Sequence, residues 1–82
     1  MVRPAKLRPM STKKKALGLR VATLRCERGL SQEELAAQAD VSVRTIGNIE
    51  RAQTMPDLDT LVTLADLFEV SLDYLVGRSD AA

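Results

Sequence analysis

An all-α bundle of five short helices is the fold class this sequence predicts, and three observations carry the prediction. Apolar residues recur at helical spacing in two runs, Leu17, Val21, Leu24 and Leu58, Leu61, Leu64, Ala65, Phe68. Between them, residues 32–51 place small or apolar side chains at 35, 36, 39, 41, 46 and 49, with Ser42 set between two helical stretches. That is the layout of two short helices crossing over a tight turn. Residues that start and stop helices punctuate the pattern, with Ser31, Asp57 and Ser71 at starts and Gly29 and Gly77 at stops.

The first helix is expected from Thr12 or Lys13 to Arg28, turning Leu17, Val21 and Leu24 inward and stopping at Gly29. Ser31 caps the second, and Glu34 completes an S-x-x-E capping box before Leu35, Ala36 and Ala39 turn to the core. The two alanines suit a close crossing, since larger side chains would hold the helices apart. A third helix follows Ser42. After Gln53-Thr54-Met55-Pro56, Asp57 is expected to cap a fourth whose Leu58, Leu61, Leu64, Ala65 and Phe68 point inward. Ser71 opens a last short helix, residues 72–76, which Gly77 ends. The expected organisation is an N-terminal arm over 1–11, one domain over 12–77 and a disordered tail over 78–82.

A chain of 82 residues makes one small domain, too short for an enzyme's catalytic apparatus or a separate sensor domain. One cysteine and no histidine exclude an internal disulfide, a zinc site of the usual ligands and a His-based triad. No metal and no cofactor are expected. Cys26 reads as a small helical residue near the core. No apolar run approaches the roughly 18 residues of a membrane span, and the start lacks a signal-peptide apolar region, so a cytoplasmic protein without a membrane partner is expected. With one Phe, one Tyr and no Trp, the core must be aliphatic and its stability modest.

The net charge of +1 conceals an uneven distribution. Residues 1–15 hold six basic residues and no acid, against six basic and eleven acidic residues in the remainder, so +6 faces −5. With Pro4 and Pro9 the first eleven residues cannot form one helix and have little to bury, which reads as a flexible arm. Such an arm either reaches a DNA backbone or minor groove, or serves only as a solubilising leader.

On a helical wheel, residues 43–51 separate into two faces. Ile46, Ile49 and Glu50 fall on one side. Arg44, Gly47, Asn48 and Arg51 fall on the other, with Val43 and Thr45 at its margins. Arginine can donate twice to guanine O6 and N7, and an asparagine amide can pair with adenine N6 and N7, so Arg44 and Asn48 are candidates for reading bases. Val43 either touches a thymine methyl or packs the first turn. Gly47 permits close approach of backbone to a groove, while Thr45 and Arg51 suit phosphates.

Residues 16–76 resemble the Cro/CI-type helix-turn-helix repressors, the XRE family. The resemblance is carried by Ser31-Gln32-Glu33-Glu34-Leu35-Ala36, Val41-Ser42, Thr45-Ile46, Ile49-Glu50-Arg51, Leu64-Ala65, Val70-Ser71 and Leu75. It implies a compact, lambda-repressor-like five-helix fold, with base contacts at Val43, Arg44 and Asn48 and a phosphate anchored by Gln32, beside Ser31, at the second helix's N-terminus. It also implies that Glu50, which the wheel turns inward, pairs with Arg25 as a structural ion pair. Two departures stand out: Asp40 and Ala52 occupy positions where many relatives have glycine. Aspartate visits the left-handed region at modest cost, whereas Ala52 must adopt a strained cap or end the helix differently. In such repressors dimer contacts come from the C-terminal part, which here points to Leu67, set by the wheel opposite the core stripe, with Leu72, Tyr74 and Val76. The bland alternative is that these four complete the monomer core.

The resulting expectation is a sequence-specific DNA-binding transcriptional regulator, a repressor more than an activator. It would bind a near-palindromic operator in double-stranded DNA as a homodimer, with the helix near 43–51 in the major groove. No small-molecule effector is expected, and the setting implied is a bacterial or phage-encoded protein on the nucleoid. The alternative is a protein-interaction module, such as the antitoxin of a toxin–antitoxin pair, with a protein partner.

Overall fold

Ser11–Glu27 forms α1, Gln32–Ala39 α2, Val43–Glu50 α3, Leu58–Phe68 α4 and Leu72–Leu75 α5 in the computed structural model, which describes residues 11–80. No strand occurs among the described residues, so the all-α class read from the sequence is the class observed. The basic arm lies outside the described residues except for Ser11, which opens α1. The expected C-terminal tail is described as far as residue 80, and residues 81–82 lie outside the described ones. The N–H groups of Arg78 and Ser79 donate to the Asp73 carbonyl at 2.8 and 3.3 Å, because the last carbonyls of α5 need donors.

Helix starts follow one chemical rule. Ser31, Ser42, Asp57 and Ser71 hold extended backbone, and their side-chain oxygens accept from the backbone N–H of Glu34, Thr45, Thr60 and Tyr74. At Ser31 the box closes, since its own N–H donates to the Glu34 carboxylate at 2.8 Å. At Asp57 the Thr60 side chain and then the Thr60 backbone N–H hold the carboxyl below its ordinary range.

Helix ends follow a geometric rule. All five close with the same pair of backbone bonds around one left-handed residue, as in Leu30 N–H to Arg25 O and Gly29 N–H to Cys26 O, both 3.0 Å. Glycine occupies only two of these positions, Gly29 and Gly77, with φ 69° and 84°. Asp40, Ala52 and Glu69 hold φ of 59°, 61° and 57°, each at a cost of roughly 1–2 kcal/mol, less for aspartate. Of the two courses open to Ala52, the chain takes the strained cap. Arg28 adds charge where α4 ends, donating to the carbonyls of Leu67 and Phe68 at 2.9 and 2.8 Å.

The core is aliphatic, with Leu17, Val21, Leu35, Ile46, Ile49, Leu64 and Leu75 fully buried and Phe68 beside them. α3 packs between α1 and α2, α4 rests on α2 and α5, and α5 returns to α1. Ala36 and Ala39 are buried as expected for close crossings. Three readings need correction. Cys26 is exposed rather than near the core. Leu58 is 64% exposed, because it sits at the edge of the α4 stripe and at the helix's first residue, past the core's reach. Leu67, assigned to the face opposite the core, packs against it, since α4 has neighbours on two sides and buries more than one stripe. Among the described residues no helix is long and apolar enough to cross a membrane.

Candidate nucleic-acid interface

α3 is held along one side by two apolar residues and one charged cluster. Ile46 and Ile49 are wholly buried, so the helix cannot roll without exposing both. Glu50 receives two hydrogen bonds from Arg25, Nε to Oε2 at 2.7 Å and Nη2 to Oε1 at 3.1 Å, the paired geometry in which a guanidinium binds a carboxylate best. Gln32 Nε2 donates to the same Oε1 at 2.9 Å, and Arg25 Nη1 donates to the Leu30 carbonyl at 2.7 Å. The Arg25 and Glu50 side chains are only 16% and 8% exposed. Hydrogen bonding to Glu50 raises the Arg25 pKa above its ordinary value despite the opposing effect of burial. One cluster thus joins α1, the α1–α2 loop, the first residue of α2 and the last of α3.

Gly18 adds a steric constraint that the sequence reading missed. A Cβ placed there would lie 2.6 Å from the Ile49 carbonyl oxygen and 3.0 Å from that of Glu50. The α1 backbone therefore lies directly against the end of α3, and only glycine permits that approach. A glycine inside an otherwise regular helical pattern was the available signal. Arg20 and Arg28 were also missed. Their roles depend on partners 54 residues away for Arg20 and 39 and 40 residues away for Arg28, and no local pattern announces them.

The opposite side of α3 faces outward. Val43 is 44% exposed, Arg44 is exposed and Asn48 is half-buried, so the three base-reading candidates share the accessible side. Arg51, exposed at the helix end, donates through Nη2 to Asn48 Oδ1 at 2.7 Å. Gly47 is buried beneath the Arg51 guanidinium, which fills the space that the sequence reading left for an approaching groove.

The phosphate candidates lie at helix termini. Ser31 caps α2 through its hydroxyl, and Gln32 is half-buried against Glu50. The Thr45 hydroxyl shares a 2.9 Å hydrogen bond with that of Ser42 at the start of α3. Both starts present backbone N–H groups and a partial positive charge, the combination that favours an anion. Leu67, Leu72 and Val76 are half-buried and pack against the core. Tyr74 is half-buried under Arg20, whose guanidinium carbon lies 3.8 Å from the ring centre.

Comparison with known proteins places this geometry. Residues 21–75 match the helix-turn-helix family model. The chain is 36% identical over 67 residues to the HTH-type transcriptional regulator ImmR of Bacillus subtilis, covering 82% of this chain and 53% of that protein. It is 34% identical over 62 residues to the immunity repressor protein of Bacillus phage phi105, covering 76% and 43%. The restriction-modification controller protein C.AhdI of Aeromonas hydrophila superposes with a TM-score of 0.70 at 31% identity, over 76% of this chain and 94% of that one. The chain spans about half the length of the curated relatives it matches first. These relatives are named as regulators, a repressor and a controller protein, and none as an enzyme. In sequence and in fold alike, this chain belongs to the helix-turn-helix family, of the Cro/CI type that residues 16–76 resemble.

Proposed function

We propose that this chain is a sequence-specific DNA-binding transcriptional regulator, a repressor, that lays α3 in the major groove of an operator. The observation that carries the proposal is the division of α3. One side is locked by Ile46, Ile49 and the Arg25–Glu50 pair, while the other holds Val43, Arg44 and Asn48 outward. A helix fixed to that degree can hold side chains to base edges without further ordering on contact. Ser31, Gln32, Thr45 and Arg51 would set its register by holding phosphates, which position the protein and carry little sequence information. The names of the relatives support the repressor assignment.

Two copies would meet through the parts of Leu67, Leu72, Tyr74 and Val76 that the core leaves uncovered. Their α3 helices, about 34 Å apart, would read a near-palindromic site in successive major grooves. Residues 12–77 form the DNA-binding unit in this reading, acting in the cytoplasm on nucleoid DNA.

Selection of bound duplexes from a random pool at physiological salt tests the proposal. An enriched palindrome is expected, with half-sites about one helical turn apart. On that sequence Arg44→Ala should cost about 1–3 kcal/mol while binding to random DNA barely changes. Equal losses on both would remove Arg44 from the reading set. Enrichment of a single half-site would remove the dimer, and a folded protein that enriches nothing would transfer the chain to a protein-interaction role.

A further inference from the structure

The Arg51 guanidinium lies across Gly47. A Cβ built on Gly47 would come within 2.9 Å of Arg51 Nη1 and 3.6 Å of both Cζ and Nη2. From that position Nη2 donates to Asn48 Oδ1 at 2.7 Å. The three residues therefore act as one unit, in which the missing side chain at 47 provides the seat, Arg51 is the clamp and the Asn48 amide is what it holds.

An asparagine amide has an acceptor end and a donor end, and a guanidinium can face only the acceptor. With Oδ1 turned to Arg51, Nδ2 becomes the end that Asn48 offers elsewhere. The remaining N–H groups of Arg51 beside it are donors too. The C-terminal half of the outward face thus presents donors. Guanine meets donors with two major-groove acceptors, O6 and N7, whereas adenine offers one acceptor beside its own N6 donor, and cytosine offers a donor.

We propose that Arg51, seated on Gly47, is a specificity-determining residue that fixes Asn48 as a donor and directs this end of α3 to guanine, where an unclamped asparagine would pair with adenine. The proposal rests on the reading of α3 as the groove-reading helix, and it gives Arg51 a positioning role that phosphate attraction alone would not supply.

The test is selection from a random duplex pool with the full chain and with the Asn48→Ala, Gly47→Ala and Arg51→Lys variants, each checked for helical content. Asn48→Ala identifies the base position concerned, as the one whose preference it erases. There the unmodified chain should favour guanine over adenine about tenfold. Gly47→Ala, which displaces the guanidinium, and Arg51→Lys, which keeps the charge but not the planar fork, should reduce that preference to within about twofold or turn it to adenine. Preferences set by Arg44 should stay unchanged. Adenine at that position in the unmodified chain overturns the proposal. So does a guanine preference that survives both variants, or a uniform loss of affinity in Arg51→Lys with the preference intact. Those results leave α3 a reader of DNA, whereas no enriched motif at all overturns both proposals together. If Gly47→Ala does not fold, Arg51→Lys decides alone.

Discussion

The two sides of α3 are built on opposite principles. On the inward side the contacts come from other elements: Ile46 and Ile49 meet the core, Arg25 and Gln32 hold the Glu50 carboxylate, and α1 lies against the Ile49 and Glu50 carbonyls where Gly18 carries no side chain. On the outward side the side-chain hydrogen bonds among the described residues, Arg51 to Asn48 and Thr45 to Ser42, stay within the helix and its caps. The contrast shows how eight residues can be rigid and available at once. Rigidity comes from partners distant in sequence, and availability comes from letting the other side close only on itself.

Removing the carboxylate should disturb the inward side most. Glu50→Ala leaves the part-buried Arg25 guanidinium without its counter-charge, held only by the Leu30 carbonyl, and should cost about 2–3 kcal/mol in chemical denaturation. Replacing both partners with apolar residues of similar size should recover much of that loss, because no charge is then stranded. A loss below about 1 kcal/mol for the single variant would mean that the pair behaves as an ordinary surface ion pair.

Gly18→Ala attacks the same side by crowding. Alanine improves helix propensity by about 1 kcal/mol, but its Cβ meets backbone carbonyls that cannot rotate away, at a strain of about 1–3 kcal/mol. A net loss is expected, together with weaker DNA binding as the end of α3 shifts. An unchanged melting temperature would show that α1 and α3 can separate freely.

Ala52→Gly should sharpen the contrast by relieving strain where the two sides meet, at the end of α3. Alanine at φ 61° is strained, so glycine should stabilise by about 1 kcal/mol and raise the melting temperature by about 4–8 °C. No gain would indicate that the lost chain stiffness of alanine cancels the relief.

The smallest effect lies outside α3 and serves as its control. The Asp57 carboxyl is held below its ordinary range by Thr60, so its contribution to the start of α4 is complete above the unfolded carboxylate pKa near 4 and is lost as pH falls through the lower folded value. Asp57→Asn should flatten that acid-side slope while leaving binding to the selected DNA site unchanged at neutral pH. Amide exchange at Thr60 measures it, and an unaltered slope would assign the acid response to other carboxyls.

Much of this was legible in the chain because it is local. Ser31, Asp57 and Ser71 announce helix starts through bonds that span three residues, and the 43–51 wheel sets Ile46 and Ile49 inward and Arg44 and Arg51 outward, although Gly47, assigned to the outward stripe, is buried beneath Arg51. The same wheel failed at Leu67 and Leu58, where burial depends on how many neighbours a helix has and where its end overhangs the core. Glu69 also escaped notice, since nothing in an exposed glutamate marks it as a left-handed helix end.

Hydrogen-bond geometry within four residues and the period of the apolar pattern therefore belong to the sequence. They settle the helical class, the starts of the helices, the outward stripe of α3 and the resemblance to a family. The tertiary structure alone decides where helices touch: that Gly18 lies against Ile49, that Gln32 joins the Arg25–Glu50 pair, that Arg28 closes α4, and that Arg51 folds over Gly47 rather than reaching outward. Those contacts depend on distances between segments far apart in the chain or on a side chain's choice among rotamers. Packing fixes both, and no periodicity encodes either.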